Sequence, residues 1–401
     1  MKLTDICSRI TSGGTPKSSN SDYYGGDIPW LRTQEINFVD IENTENHITE
    51  AGLTNSSAKW IPANSVIVAM YGATAGKVAI NKIPLTTNQA CCNLIIDGTK
   101  ADYRYVYYQL RLNYQQLAGL ANGGAQQNLN ARIISEYDIP IPPLSVQKEI
   151  ADTLSSLDEK IANNSEVNHH LQEMVYQICR SWFIDFEPWN GEMPPTWQSV
   201  TLGDICAVVT KGTTPTTLKK QFVVQGINFI KAESILDDHS LDFGKLAFID
   251  DETHSLLSRS AIQDGDIIFT IAGTLGRFAL VGTDMLPANT NQAVAIIRAD
   301  KSRMDPITLY SLFIGGLHSD FYAKNVQQAV QANLSLTTIK TLPLNLPPVE
   351  DLSAYSATIT PLVERILQNY KESRFLAALR DALLPRLMSG ELSVVSFGEI
   401  K

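Results

Sequence analysis

IPIPPLSVQKEIADTLSSLDEKI, residues 139–161, decides the fold once it is set beside LNLPPVEDLSAYSATITPLVERI, residues 344–366. In both, a Pro-rich stretch gives way to helical periodicity. After Pro140, Pro142 and Pro143, Ser145 is a candidate N-cap. Ile150, Leu154, Leu157 and Ile161 then recur at spacings of three and four, and Leu171, Met174, Val175 and Ile178 carry the stripe on until Pro188 and Gly191. Asn163-Asn164-Ser165 is expected to loosen its middle. The second stretch shows Leu362, Ile366, Leu376, Leu379 and Leu383 and runs out near Gly390. Pro361 sits badly inside a helix, which puts the start of this one nearer 361 than 350. A helix of about 40 residues is about 60 Å long. Left alone, such an apolar stripe faces water, so the two helices are expected to pair, antiparallel. The alternative is that each folds back on its own domain.

These stretches belong to a repeat of about 200 residues that covers the chain. Leu3-Thr4-Asp5-Ile6-Cys7 matches Leu202-Gly203-Asp204-Ile205-Cys206, and YGATAGKVAI at 71–80 matches IAGTLGRFAL at 271–280. TNQA occurs at 87–90 and 290–293, and QQNLN at 126–130 pairs with QANLS at 331–335. The offset grows from 199 to 205 within the first part of each copy and then holds at 205. Length changes therefore sit in loops of the first part, because an insertion in a helix would rotate its apolar face. Two copies of one architecture imply a pseudo-two-fold molecule.

The first part of each copy is rich in short β-like runs, Ser65–Ala69 and Asn93–Ile96 against Asp266–Thr270 and Ala293–Ile297. Gly72, Gly76, Gly273 and Gly276 fit tight bends, and helices are expected at about 101–117 and about 305–323. The fold class is mixed α/β: two such domains in pseudo-two-fold tandem repeat, spaced by two long antiparallel coiled-coil helices. The boundaries are 1–144, a helix 145–190, 191–349, a helix 350–392 and a tail 393–401.

Charge neither demands nor forbids a nucleic-acid partner. The net charge is −10, and residues 146–198, with 3 basic and 9 acidic side chains, hold more than half of it. The two large domains are near neutral, so each can present a locally basic face. No apolar run is long enough to span a bilayer, and the start, MKLTDICSRI, lacks the long apolar core of a signal peptide, so the chain is expected to be cytoplasmic. Cys7, Cys91, Cys92, Cys179 and Cys206 lack C-x-x-C spacing and read as buried thiols, neither a disulfide frame nor a zinc site.

GATAGK at 72–77 fails as a Walker loop: three residues separate its glycines where four are needed, and Val78 follows Lys77. It reads instead as a turn that lets backbone approach closely, with Lys77 and Arg277 as matched candidates for phosphate contact. Asn88, Gln89, Asn291 and Gln292 of TNQA can bond adenine, or can satisfy their own turns. Because both copies keep them, the structural role is favoured, and the same holds for Asn128 and Asn333. Base readers are better sought where the copies differ: Lys17 in one loop, Lys219 and Lys220 in its counterpart, and Arg32 and Gln34 against Lys231. No catalytic residue and no metal site is identified; His47, His169, His170, His239, His254 and His318 have no ligand spacing, and His169 and His170 are expected on an exposed helix face.

With these residues assembled, the chain resembles the specificity subunit of type I restriction–modification systems over essentially its whole length. LTDICSRITSGGTP at 3–16, GGDIPWLRTQEI at 25–36, YGATAGKVAI with TNQA, residues 139–161, and SWFIDFEPW at 181–189 carry the resemblance. The second copy departs by lacking Gln147-Lys148-Glu149-Ile150 in the matching place. The resemblance implies two target-recognition domains, each reading half of an interrupted double-stranded DNA target. It implies helices that set the gap and dock modification subunits, two of them, through Ile150, Leu154, Leu157, Ile161, Leu362, Ile366, Leu376 and Leu383. This chain would bind no cofactor. S-adenosylmethionine, ATP and Mg would sit on the modification and restriction subunits. A ruler of this length suits half-sites about one turn of DNA apart, and a four-residue insertion near Asn163 should lengthen the gap. Rival readings are the specificity part of a type IIB-like enzyme, a coiled-coil adaptor for protein or sugar, and a stand-alone methyltransferase.

Overall fold

In a computed structural model, which describes residues 1–120, 129–327 and 333–393, the chain forms two compact units. The first comprises 1–161 with 374–401, the second 162–373, so each takes part of both long helices.

In the first unit Val66–Ala69 lies within a five-stranded sheet, between Cys91–Ile96 and Val78–Asn81, with Cys7–Ser12 and Asp40–Ile41 at the edges. All four residues of Val66–Ala69 are buried, as a run covered on both faces requires. On one face Val66, Val68, Val78 and Leu94 pack with the helix Tyr103–Leu112 and with Ile150, Leu154, Leu384 and Leu387. On the other, Ile67, Ala69 and Ala79 meet Leu31, Ile36 and Ile61. A small sheet of His47–Ile48, Tyr24–Leu31 and Thr86–Thr87 adjoins it.

The second unit repeats this plan. Cys206–Lys211, Val294–Ala299, Ile267–Thr270 and Phe278–Leu280 follow the same strand order, and Ala247–Ile249, Ile227–Ile230 and Ala288–Thr290 make the small sheet. Even the register shift is reproduced, between Cys7 and Arg9 in one and Cys206 and Val208 in the other. Gly72, Gly76, Gly273 and Gly276 all take positive φ, where a side chain is strained. The helices expected near 101–117 and 305–323 are each broken, into Tyr103–Leu112 and Tyr114–Gly119, and into Pro306–Ile314 and Ser319–Gln327. Asp102 and Asp305 cap the leading pieces with their carboxylates.

The long helices correct three expectations. The first spans Leu144–Phe183, so Ser145 lies in its first turn and does not cap it, and Pro188 follows its end. Asn163-Asn164-Ser165 does not break it. The second spans Val349–Met388 and begins well before Pro361, which stands in its interior on the exposed side. Proline there costs about 3 kcal/mol, offset by the burial of Tyr355, Ile359, Val363 and Ile366 around it. Both helices have 40 residues and both ends are offset by 205, so the repeat is strict here.

Within each unit the helix segments run antiparallel. In the first, Asp158 pairs with Arg380 and accepts a 2.7 Å hydrogen bond from the Tyr108 hydroxyl. In the second, Asn168 meets Asn369 and Ile366.

Candidate nucleic-acid interface

Four segments that are distant in sequence meet at one edge of the first unit. Gly14 N donates to Thr87 O at 2.9 Å, Asn88 N to Leu31 O at 3.0 Å and Met70 N to Ala90 O at 2.8 Å. Thr74 Oγ1 donates to Thr33 O at 2.8 Å, and Trp30 Nε1 to Gly14 O at 3.0 Å. The loop after the first strand, the Arg32–Gln34 turn, the GATAGK bend and the TNQA turn thus form one connected surface. Gly13 is required there, because a Cβ would lie 2.0 Å from Thr87 O. Gly212 is constrained in the same way by Thr290 O, at 1.8 Å. Thr213 N donating to Thr290 O at 3.1 Å and Ile271 N to Ala293 O at 2.8 Å join the equivalent segments of the second unit.

The side-chain oxygens of TNQA bond their own frame. Asn88 Oδ1 accepts from Ala90 N at 3.1 Å, and Asn291 Oδ1 from Ala293 N at 3.0 Å. Gln89 Oε1 accepts from the Thr15 hydroxyl, and Gln292 Oε1 from Thr214. Each Gln therefore staples the turn to the variable loop that follows Thr15 or Thr214. Asn128 falls outside the described residues, and Asn333 is exposed.

The basic candidates divide by their partners. Lys17 and Lys219 are exposed and make no ion pair among the described residues, and Gln34 is exposed beside the half-buried Arg32. Lys77 donates to Asn37 Oδ1 at 2.7 Å and lies 5.9 Å from the Phe38 ring centroid. Arg277, its counterpart, is held by Asp237 through two 2.6 Å bonds and so has its charge compensated. Lys220 pairs with Glu252 at 2.6 Å. Lys231 pairs with Glu233 at 3.7 Å and lies 5.1 Å from the Phe222 centroid. Without any signal in the sequence, one further arginine joins the second unit's edge, and another projects from the first strand of the first unit. Arg259 reaches Thr213 Oγ1 at 3.5 Å, and Arg9 bonds the Trp60 backbone oxygen at 3.3 Å. Their place depends on chain reversals that bring residues 46 and 51 positions apart together.

The eight helix residues expected to dock other subunits need correction. Ile150, Leu154 and Ile366 are buried in this chain's own cores, and Leu157, Ile161, Leu362, Leu376 and Leu383 are half-buried. They fall on the seam positions of a heptad, which face the paired helix. Val146, Met174, Val349, Phe375 and Leu379 are instead the exposed large apolar groups of these helices.

All five thiols are free, and burial pushes Cys7, Cys92, Cys179 and Cys206 up to about 12, well away from reactive thiolate. His169 and His170 are exposed. Among the described residues no group of three His, Cys, Asp or Glu could hold a metal, and no helix is long and apolar enough to cross a membrane.

Removing one staple should be felt on one side only. Gln89→Ala is expected to relax base preference at one half of a two-part DNA site, and Gln292→Ala at the other. Loss of one hydrogen bond worth about 1 kcal/mol implies a several-fold drop in discrimination. Sequencing of DNA bound or modified by each variant checks this, and a uniform change across both halves would count against it.

The tandem repeat and the fold agree with comparisons to known proteins. A family model described as the type I restriction modification DNA specificity domain matches residues 1–173 and again 194–372. The type I restriction enzyme MjaIX specificity subunit of Methanocaldococcus jannaschii is 28% identical over 98% of this chain and 93% of its own length. The EcoBI specificity subunit of Escherichia coli is 21% identical over 98% of this chain and 90% of its own length. The fold is shared with the type I restriction–modification S subunit from M. genitalium, at a TM-score of 0.59 and 17% identity, covering 96% of this chain and 95% of that one. The chain belongs to the type I restriction modification DNA specificity family, and it carries that family's domain twice in tandem.

Proposed function

We propose that this chain is the DNA sequence-specificity subunit of a type I restriction–modification complex. Each unit reads one half of an interrupted double-stranded target, and the paired helices set the gap. The observation that carries this reading is the repeated edge: the same turn, staple and close glycine, followed in each copy by a loop of different sequence. A shared frame with unlike loops is what a reader of two different half-sites needs, since base contacts specify while the frame positions.

In this reading the chain contributes recognition and its partners contribute chemistry. Modification subunits, two of them, would carry S-adenosylmethionine and methylate adenine. Restriction subunits would use ATP and Mg, all in the cytoplasm. With the seam residues turned inward, docking passes to Val146, Phe375 and Leu379 in the first unit and Met174 in the second. Lys17, Arg32, Gln34, Lys219, Lys220 and Lys231 remain the candidates for reading bases, and Lys77 and Arg277 for phosphate. Arg277 would have to leave Asp237 to do so.

The experiment is to produce the chain with its modification subunits in a host without adenine methylation and to sequence the methylated sites. A single motif with two half-sites and one gap is expected. Lengthening both helices together by one heptad, after Asn163 and after Ser373, keeps every seam residue in register. It should widen the gap by about three base pairs, from about 10 Å of helix and 3.4 Å per base pair. Both half-sites should stay the same, and an unchanged gap would sink the ruler reading. Insertion into one helix alone, at Asn163, would break the pairing it was meant to extend.

A further inference from the structure

Gln147, Ile150, Leu154, Leu157, Ile161, Asn164, Asn168, Leu171, Val175, Ile178 and Trp182 follow one another at alternating spacings of three and four. The same series plus 205 runs from Leu352 to Leu387. This is a heptad seam, which is normally apolar. Its middle is not. Asn164, Asn168 and Asn369 have relative exposures of only 1%, 4% and 0%, and with the half-buried Ser373 they form a polar layer in the second unit.

The layer is joined across the two helices. Asn369 Nδ2 donates to Asn168 Oδ1 at 2.7 Å, and Asn168 Nδ2 to Ile366 O at 3.1 Å. Asn164 Nδ2 donates to Glu372 Oε2 at 2.9 Å and to Ser373 Oγ at 3.3 Å. The offset of 205 maps Asn164 onto Asn369 and Asn168 onto Ser373, so the two cross-helix contacts are images of each other. Asn369 Oδ1 is buried without a partner among the described residues. A layer kept despite an unmet acceptor is poorly explained by stability, since an apolar seam would serve better.

We infer that Asn164, Asn168, Asn369 and Ser373 lock the register of the helix pair and thereby restrict the complex to a single gap between half-sites. The inference rests on the ruler reading above and assigns the residues that hold the ruler at one setting. An apolar heptad seam looks the same after a slip of seven residues. The polar layer makes the settings unequal. A slip in one sense sets Asn164 against Ile366 and Asn168 against Leu362. In the other sense Asn369 meets Val175 and Ser373 meets Leu171. Either way buried amides lose their partners, whereas the observed register satisfies most of them. One heptad is about 10 Å of helix, or about three base pairs.

The test uses the full chain assembled with its modification subunits and reads the gap in methylated genomic DNA. The apolar version, with Asn164, Asn168, Asn369 and Ser373 all changed to Leu, is expected to methylate the same half-sites at a second gap, shifted by about three base pairs. The exchange Asn168→Ser with Ser373→Asn preserves a polar layer and should retain the single gap. A single unshifted gap in the apolar version overturns the inference. Should that version not methylate at all, cysteine pairs read the register directly. Leu171→Cys with Ile366→Cys reports the observed register, Leu171→Cys with Ile359→Cys one slipped register and Ile178→Cys with Ile366→Cys the other. Oxidation of the first pair together with either slipped pair in the apolar background supports the lock, and oxidation of the first pair alone overturns it. The paired heptad insertion separates the two levels of failure. If it moves the gap and the apolar layer does not, the lock fails and the ruler stands; if neither moves it, the ruler itself fails.

Discussion

Replacing Asp266 by serine should destabilise the unit of residues 162–373 by about 3–5 kcal/mol, or about 10 °C in melting temperature for a unit of this size. Asp266 has no exposed surface and sits just before the strand Ile267–Thr270. It accepts two 2.7 Å bonds from Arg298 Nε and Nη2 on the neighbouring strand and another, also 2.7 Å, from Gln263 N. Its loss strands a guanidinium that retains only Ala261 O, at 3.3 Å. Arg298→Ile should cost at least as much, since it leaves a buried carboxylate without its counter-ion.

The first unit shows the neutral solution to the same place. Ser65 stands where Asp266 does, donating through its hydroxyl to Pro62 O at 2.8 Å, and Ile95 stands where Arg298 does. The double variant Asp266→Ser with Arg298→Ile should therefore return to within about 1 kcal/mol of the parent, because replacing a whole buried pair costs far less than breaking it. Thermal unfolding of the two single variants and the double variant measures this coupling. Additive losses in the double variant would refute it.

Acid should weaken the same unit through its aromatic core. Burial lowers both His239 and His318 from 6.5 to about 4, and for His318 the proximity of His239 adds to the effect. His318 packs among the rings of Phe269, Phe278 and Phe313, with its Nδ1 lacking a partner among the described residues, and His239 stacks on Phe278 at 3.9 Å. Asp238 and Asp237 pull His239 the other way without prevailing.

The sign follows from proton counting. Between pH 6.5 and 4 the unfolded chain binds protons at these imidazoles that the folded unit refuses, so stability is complete above 6.5 and falls as pH drops toward 4. For His318 the loss is on the order of 3 kcal/mol at 1.36 kcal/mol per unit. Asp204, Asp250 and Asp300, held below the usual carboxylate range by hydrogen bonds from neighbouring threonines or serine, lose their contribution only at lower pH, which separates the two effects. His318→Phe, which suits its aromatic neighbours, should flatten the decline. Urea midpoints at pH 7 and pH 4.5 decide it: an equal fall in parent and variant would show that other groups carry the acid response.

These two expectations differ in how far they could be read from sequence. That position 266 is Asp in one copy and 65 is Ser in the other is visible on alignment of the repeat. That Arg298 is its partner is not, because the pairing is made across strands whose register only the folded sheet supplies. Likewise nothing in the spacing of His239 and His318 places them in one aromatic cluster.

The sequence by itself determined the tandem repeat, the mixed α/β class, the two long helices and the family. All of these depend on periodicity and on local matches that survive without coordinates. Tertiary structure decided what the matched residues do. It carried the second helix back to Val349 in spite of Pro361, since packing of Tyr355, Ile359 and Val363 outweighs local propensity. It turned Ile150, Leu154 and Ile366 inward, since an apolar stripe announces burial without saying against what. It also committed the oxygens of Asn88, Gln89, Asn291 and Gln292 to the frame. A polar side chain can serve a partner or its own backbone, and only the position of the neighbouring donors settles which.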